Sequence, residues 1–296
     1  MEFADYYNHI HGLVGDVKLV FEFQKNLEGI SYYLNEGGSL NKFLDSEFLV
    51  RDRSRLSGNV VWQELKSDFN NKIIVGFSNR WFYCHKSVWS PSVDAVFLYH
   101  TLLKKENFAT LQKESVLDFG CGTGIMGVLL GMCNPNIKTV YFMDINKYAL
   151  YSTLINVMGN SSLFQYQLLT SLNDSLRTDV GIVTPYYFPI ERDLVLNCYE
   201  RIEKAGYQSA VLTNQVVEKS KTTYFVFSSI TEKQFISGLE HDFSIVDEMW
   251  VPFTLGDNVS NTKLVEAALE HGLLDIRESG QFRYWHKIII GKIQKK

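Results

Sequence analysis

The chain has 296 residues, 46% of them hydrophobic, with 29 basic and 33 acidic side chains and a formal net charge of −4. This size and apolar content support one large folded domain, or one domain with an appendage, and exclude a disordered or low-complexity chain. The slightly acidic balance disfavours nucleic acid as a partner, because binding through many phosphates asks for a basic excess.

No apolar run reaches the ~20 residues that a membrane helix needs. The opening MEFADYYNHI carries acids and no basic stretch, so no signal peptide is expected and the expected location is cytoplasmic. Cys84, Cys121, Cys133 and Cys198 fit no zinc spacing and read as reduced thiols; no metal is expected.

Apolar residues Ile10, Val14, Leu19, Phe23, Leu27 and Ile30 recur at mixed helical spacings, and NEGGS at 35–39 breaks the pattern. From about 58 to 89 the runs VVWQEL, KIIVGF and RWFYCHK, separated by SDFNNK and SNR, predict a small β unit. Pro91 and Ser92 then open a helical segment, SVDAVFLYHTLLKK.

After Glu114 strands and helices alternate. Strands are expected at SVLDF, TVYFMD, LFQYQLL, VGIV, YFVFSS, FSIVDEMW and FRYWHKIII, with helices between most of them, as at GIMGVLLGM and KYALYSTLINVM. AVLTNQVV at 210–217 reads equally as a strand or a loop. Right-handed crossovers then give a doubly wound, seven-stranded α/β sheet, mostly parallel with an antiparallel last strand. The division expected is an N-terminal helical and β extension over 1–90, on the substrate side, and the sheet domain over 91–296. WVPFTLGDN at 250–258 reads as an ordinary loop or as a substrate lid.

The first strand of such a sheet ends where ligands bind. Here it runs into Asp118, Phe119, Gly120, Cys121, Gly122, Thr123 and Gly124. Glycines accept positive φ and let a ligand touch the main chain, and the helix that follows aims free N–H groups at the same spot. Gly122, Gly124 and Gly127 satisfy G-x-G-x-x-G, a weak dinucleotide fingerprint, and Asp144 lies where a ribose-binding acid belongs. Asp118 separates the alternatives. A carboxylate there would repel a pyrophosphate, whereas it suits the ammonium of the amino acid end of S-adenosylmethionine.

VLDFGCGTGIMG resembles the first motif of class I S-adenosylmethionine-dependent methyltransferases, and YFMDIN resembles their second. The resemblance implies that Asp118 and the backbone at Gly120, Gly122 and Gly124 hold the methionine part. It also implies that Asp144 accepts hydrogen bonds from the ribose hydroxyls and that Ile145 packs on adenine. VGIVTPYYFP at 180–189 resembles the fourth motif of the amino-methylating branch, the methyltransferase small domain group that includes release-factor glutamine methyltransferases. VWSPSVDAVFL at 88–98 looks like the segment preceding the core in that group.

The same resemblance assigns Thr184, Pro185 and Tyr187 to presenting the acceptor nitrogen. Two positions depart from the pattern: Thr184 stands where Asn or Asp is usual, and Tyr186 replaces a proline. A lone hydroxyl matches an amide edge less well than an Asn side chain does. The acceptor expected is therefore a small molecule, peptide or protein; a nucleic-acid base and a non-catalytic cofactor-binding scaffold are the alternatives. Ser171 and Leu172 contact adenine by the resemblance, or simply form the loop. Asp94 either reaches the methionine end or supports a helix N-terminus.

Overall fold

A computed structural model of the chain describes residues 62–65, 72–77, 80–84, 88, 93–160, 164–185, 198–253, 259–279 and 282–295. The helical pattern expected over 1–50, Tyr187 and most of the 250–258 loop lie outside them. The chain divides into two compact units, Ala4–Leu176 and Arg177–Lys296.

In the first unit, β1 (Trp62–Leu65), β2 (Lys72–Phe77) and β3 (Arg80–Cys84) form a small antiparallel sheet, with Trp62 opposite Val75 and Val75 opposite Phe82. Helix α1 (Val93–Lys104) follows. Then β4 (Ser115–Phe119), α2 (Ile125–Cys133), β5 (Thr139–Met143), α3 (Lys147–Gly159) and β6 (Gln165–Leu169) alternate in chain order.

β4, β5 and β6 are parallel and in register, so Phe119, Met143 and Leu169 end level with one another. That register places the residues after each strand side by side. The Gly120 and Cys121 N–H groups both donate to the Met143 carbonyl, at 2.8 and 3.0 Å, and the Asp144 N–H donates to the Leu169 carbonyl at 3.1 Å. Helix α2 is apolar all round and buried from Ile125 to Gly131, as a helix in a protein interior must be. It lies close on the sheet, because a Cβ at Gly127 would strike the Phe142 ring.

In the second unit, β7 (Thr178–Val183) and β8 (Ser220–Ser228) are parallel and flank the 22-residue helix α4 (Cys198–Lys219) in sequence. Helix α5 (Glu232–Gly238), β9 (Ser244–Pro252), α6 (Val259–Glu270), β10 (Asp275–Ser279) and β11 (Phe282–Gln294) complete it. β11 runs antiparallel to β8, β9 and β10. Parallel pairing at β4–β5, β5–β6 and β7–β8, with antiparallel pairing around β11, is the mixed, mostly parallel α/β pattern expected of the sheet domain.

Two local features go beyond the sequence expectations. AVLTNQVV is neither strand nor loop but part of α4. Its buried residues Ala210, Thr213, Asn214, Val216 and Val217 continue a three-to-four-residue period begun by Ala205 and Ser209, and that period outweighs the β-branched content. β10 was not anticipated. Its five residues, DIRES, contain one large apolar side chain, Ile276, and that one is exposed. A satellite core of Ile202, Ile230, Val265, Ala268 and Leu274 seats α6.

Candidate cofactor site

The site grows from the turn that joins β4 to α2. Gly120, Gly122 and Gly124 have φ of 68, 55 and 72°, the left-handed region in which a Cβ is penalised. At Gly120 the space beside the chain is open, so the glycine is required by its backbone angle and not by crowding. The turn closes on itself when the Gly124 N–H donates to the Cys121 carbonyl at 2.7 Å.

Asp118 lies under this turn and is 4% exposed. One of its oxygens, Oδ2, accepts the Gly127 N–H at 2.8 Å, from the first turn of α2. Burial pushes the Asp118 carboxyl up to about 7, and the charge of Asp144 adds to that, while the Gly127 hydrogen bond pulls it back in part. A buried acid in this state gains from any cation brought beside it.

Asp144 follows the end of β5. Its Oδ2 accepts the Gly122 N–H at 3.0 Å and its Oδ1 accepts the Asn146 N–H at 2.8 Å. Each carboxylate oxygen keeps a further lone pair for a ligand hydroxyl. Next to it, Ile145 is 87% exposed, a large aliphatic side chain left in water at the rim of the site.

The remaining candidates divide. Ser171, exposed, and Leu172, half-buried, follow the end of β6, the strand whose Leu169 carbonyl receives the Asp144 N–H. Asp94 is buried in the first turn of α1. Thr184 is half-buried and Pro185 buried just after β7, in the second unit. Tyr187 lies outside the described residues.

Sequence reading passed over Thr153 and Asn156 on α3, both fully buried. Thr153 Oγ1 donates to the Gly122 carbonyl at 3.2 Å and lies 3.4 Å from the Cys121 thiol. Asn156 Nδ2 donates to the Thr123 carbonyl at 2.7 Å. The signal was present: Ser152, Thr153 and Asn156 lie at helical spacing on α3, and Asn160 continues the line just beyond it. Burial and negative charge from Asp118 and Asp144 push the Cys121 thiol well above its ordinary value, so it acts as a small packed group and not as a nucleophile. Among the described residues there is no cluster of His, Cys, Asp and Glu able to hold a metal, and no helix is long and apolar enough to cross a membrane.

A buried acid under a glycine turn, a second acid at the end of the neighbouring strand and an exposed aliphatic residue beside it fit a ligand with a cationic amino acid end, a ribose and a flat base. Such a ligand is S-adenosylmethionine, the cofactor of the class I S-adenosylmethionine-dependent methyltransferases, which the chain resembles over part of its length. Residues 82–179 match the family model described as Methyltransferase small domain. The chain is 30% identical over 119 residues to the ribosomal RNA small subunit methyltransferase C of Pseudoalteromonas translucida, a match covering 36% of this chain and 33% of that protein. It is 35% identical over 75 residues to the ribosomal protein L11 methyltransferase of Legionella pneumophila, covering 25% of each. The matches therefore span a third or less of these curated relatives. Among solved structures, a 16S rRNA N2 G1207 methyltransferase from T. thermophilus, in complex with AdoMet and guanosine, superposes with a TM-score of 0.42 at 12% identity, covering 80% of this chain and 51% of the other.

Proposed function

We propose that the chain transfers a methyl group from S-adenosylmethionine to a nitrogen atom. The observation that carries this reading is the pair of acids at the ends of adjacent parallel strands, Asp118 under the glycine turn and Asp144 holding the Gly122 N–H. When bound, the cofactor supplies an activated methyl on a sulfonium; the protein contributes position and electrostatics.

In this reading the Asp118 carboxylate faces the cofactor's ammonium, and Gly120, Gly122 and Gly124 admit its methionine part, with Asp94 supporting that end. Asp144 accepts from the ribose hydroxyls, and Ile145 covers adenine together with Leu172 and Ser171. The resemblance assigns Thr184, Pro185 and Tyr187 to presenting the acceptor nitrogen. A dinucleotide fits less well, since its pyrophosphate would meet the buried Asp118.

Two acceptor classes stand side by side. Thr184 in place of an amide favours a small-molecule, peptide or protein amine. The two curated relatives, a ribosomal RNA and a ribosomal protein methyltransferase by name, favour ribosomal components. The net charge of −4 weighs against binding along many phosphates. It weighs little against a site that takes a single unstacked base, which draws its recognition from stacking and hydrogen bonds.

The test is calorimetric titration with S-adenosylhomocysteine, followed by incubation of ribosomal subunits with methyl-labelled cofactor and separation of RNA from protein. Saturable binding that Asp144→Ala weakens about a hundredfold, and label in one fraction on a nitrogen, are expected. Wild-type protein that binds no S-adenosylhomocysteine overturns the reading.

A further inference from the structure

Within the turn, four of five N–H groups are committed: Gly120 and Cys121 to the Met143 carbonyl, Gly122 to Asp144, and Gly124 to the Cys121 carbonyl. The fifth belongs to Thr123, which is 2% exposed and whose N–H has no acceptor among the described residues. A buried N–H without an acceptor is uncommon and costly, and such a group signals a missing partner.

The direction of this N–H follows from the peptide geometry. In a trans peptide the C=O and the N–H of one plane point oppositely. The Gly122 carbonyl, in the plane that carries the Thr123 N–H, is drawn to α3 by the Thr153 hydroxyl at 3.2 Å. The Thr123 N–H therefore points away from α3. The next plane is fixed the same way, with the Thr123 carbonyl held by Asn156 at 2.7 Å. Among the described residues the Thr153 hydroxyl is the partner that holds the Gly122–Thr123 plane, whereas the Thr123–Gly124 plane is held at both ends, by Asn156 on its carbonyl and by the Cys121 carbonyl on its N–H.

We propose that Thr153 and Asn156 are positioning residues for the cofactor. They hold the turn's carbonyls against α3 so that the Thr123 N–H, with the free N–H groups at the start of α2, receives the carboxylate of the ligand's amino acid end. This rests on the methyltransferase reading above. Neither side chain touches the ligand; each acts through a backbone carbonyl.

The experiment compares S-adenosylhomocysteine with 5′-methylthioadenosine, which keeps the nucleoside and sulfur and lacks the amino acid end. Thr153→Val removes the donor while keeping the branched shape, Asn156→Asp replaces the donor by an acceptor, and Thr153→Ser retains the hydroxyl. Thr153→Val and Asn156→Asp are each expected to weaken S-adenosylhomocysteine about tenfold, the scale of one hydrogen bond, and to leave 5′-methylthioadenosine unchanged. Thr153→Ser is expected to bind both as wild type does. In wild-type protein, amide exchange resolved by NMR should slow at Thr123 on adding S-adenosylhomocysteine and stay fast with 5′-methylthioadenosine; this measurement needs no variant. Equal weakening of both ligands, weakening of neither, or no selective protection at Thr123 overturns the proposal. Wild-type protein that binds 5′-methylthioadenosine but shows none of these differences overturns it while sparing the cofactor assignment; binding of neither ligand overturns both.

Discussion

The Asp118 carboxylate accepts the Gly127 N–H at 2.8 Å, so the acid that ends β4 is tied directly to the first turn of the helix that follows. The bond spans the whole glycine turn, and a Cβ at Gly127 would itself lie 3.0 Å from that oxygen. Strand end, turn and helix start are thereby joined around one buried acid.

That burial has a consequence for stability. The Asp118 carboxyl is raised from 3.8 to about 7 in the folded protein. Between those values the folded state holds a proton that the unfolded chain has released, so stability falls as pH rises from about 4 to about 7 and is flat above. The slope from this one group approaches about 1.4 kcal/mol per pH unit. Asp118→Asn should remove it: urea unfolding at pH 4.5 and 7 will find the variant gaining on wild type at the higher pH. Identical pH profiles for the two proteins would contradict the assigned burial effect.

Cofactor binding should run the other way. Below about pH 7 the free protein's Asp118 is protonated, and an ammonium ligand binds best to its carboxylate. Affinity for S-adenosylhomocysteine should therefore rise between pH 6 and 7.5, by up to about tenfold per unit, with a proton released into the buffer. Calorimetry in two buffers of different ionisation enthalpy reads that proton. Asp118→Asn should bind more weakly, with no pH dependence from this source.

Asp144 and Ile145 are neighbours with opposite loads. Asp144 ties down the Gly122 and Asn146 N–H groups, so Asp144→Ala should lose stability by about 1–3 kcal/mol as well as weakening S-adenosylhomocysteine about a hundredfold. Ile145 is 87% exposed and supports nothing in the fold. If Ile145 covers adenine as proposed, Ile145→Ser should leave the melting temperature unchanged and still reduce affinity about tenfold. Thermal melts paired with titrations separate the two patterns.

In the second unit, His286 is buried and its Nδ1 lies 2.8 Å from Ser228 Oγ. Burial lowers it from 6.5 to about 4, so the unfolded chain takes up a proton first as pH falls. Stability from this group is intact above about pH 6.5 and lost on acidification towards 4, the opposite of Asp118. His286→Gln should flatten acid denaturation over that window, whatever its stability at neutral pH, as measured by urea unfolding at pH 4.5 and 7.

The alternation of strands and helices after Glu114 and the acid-plus-glycine turn were legible in the chain because each is local. A buried parallel strand reads as a short apolar run, and a turn needing positive φ reads as glycine. Asp118 and Asp144 were likewise visible as acids at strand ends. AVLTNQVV was not resolved, since its branched residues and its helical burial period point in different directions until α4 is packed. β10 escaped because a short polar strand acquires its identity only by pairing with β11.

By itself, then, the order of residues settled what can be decided within about a dozen neighbours: element type, the backbone freedom of the turn, and which charged groups stand at its edges. Tertiary structure alone settled which groups meet. The level register of β4 and β5 brings Asp144 to the Gly122 N–H, and the packing of α3 carries Thr153 and Asn156 to carbonyls more than thirty positions earlier in the chain. Meetings over such separations are set by how elements stack, and no local pattern encodes them.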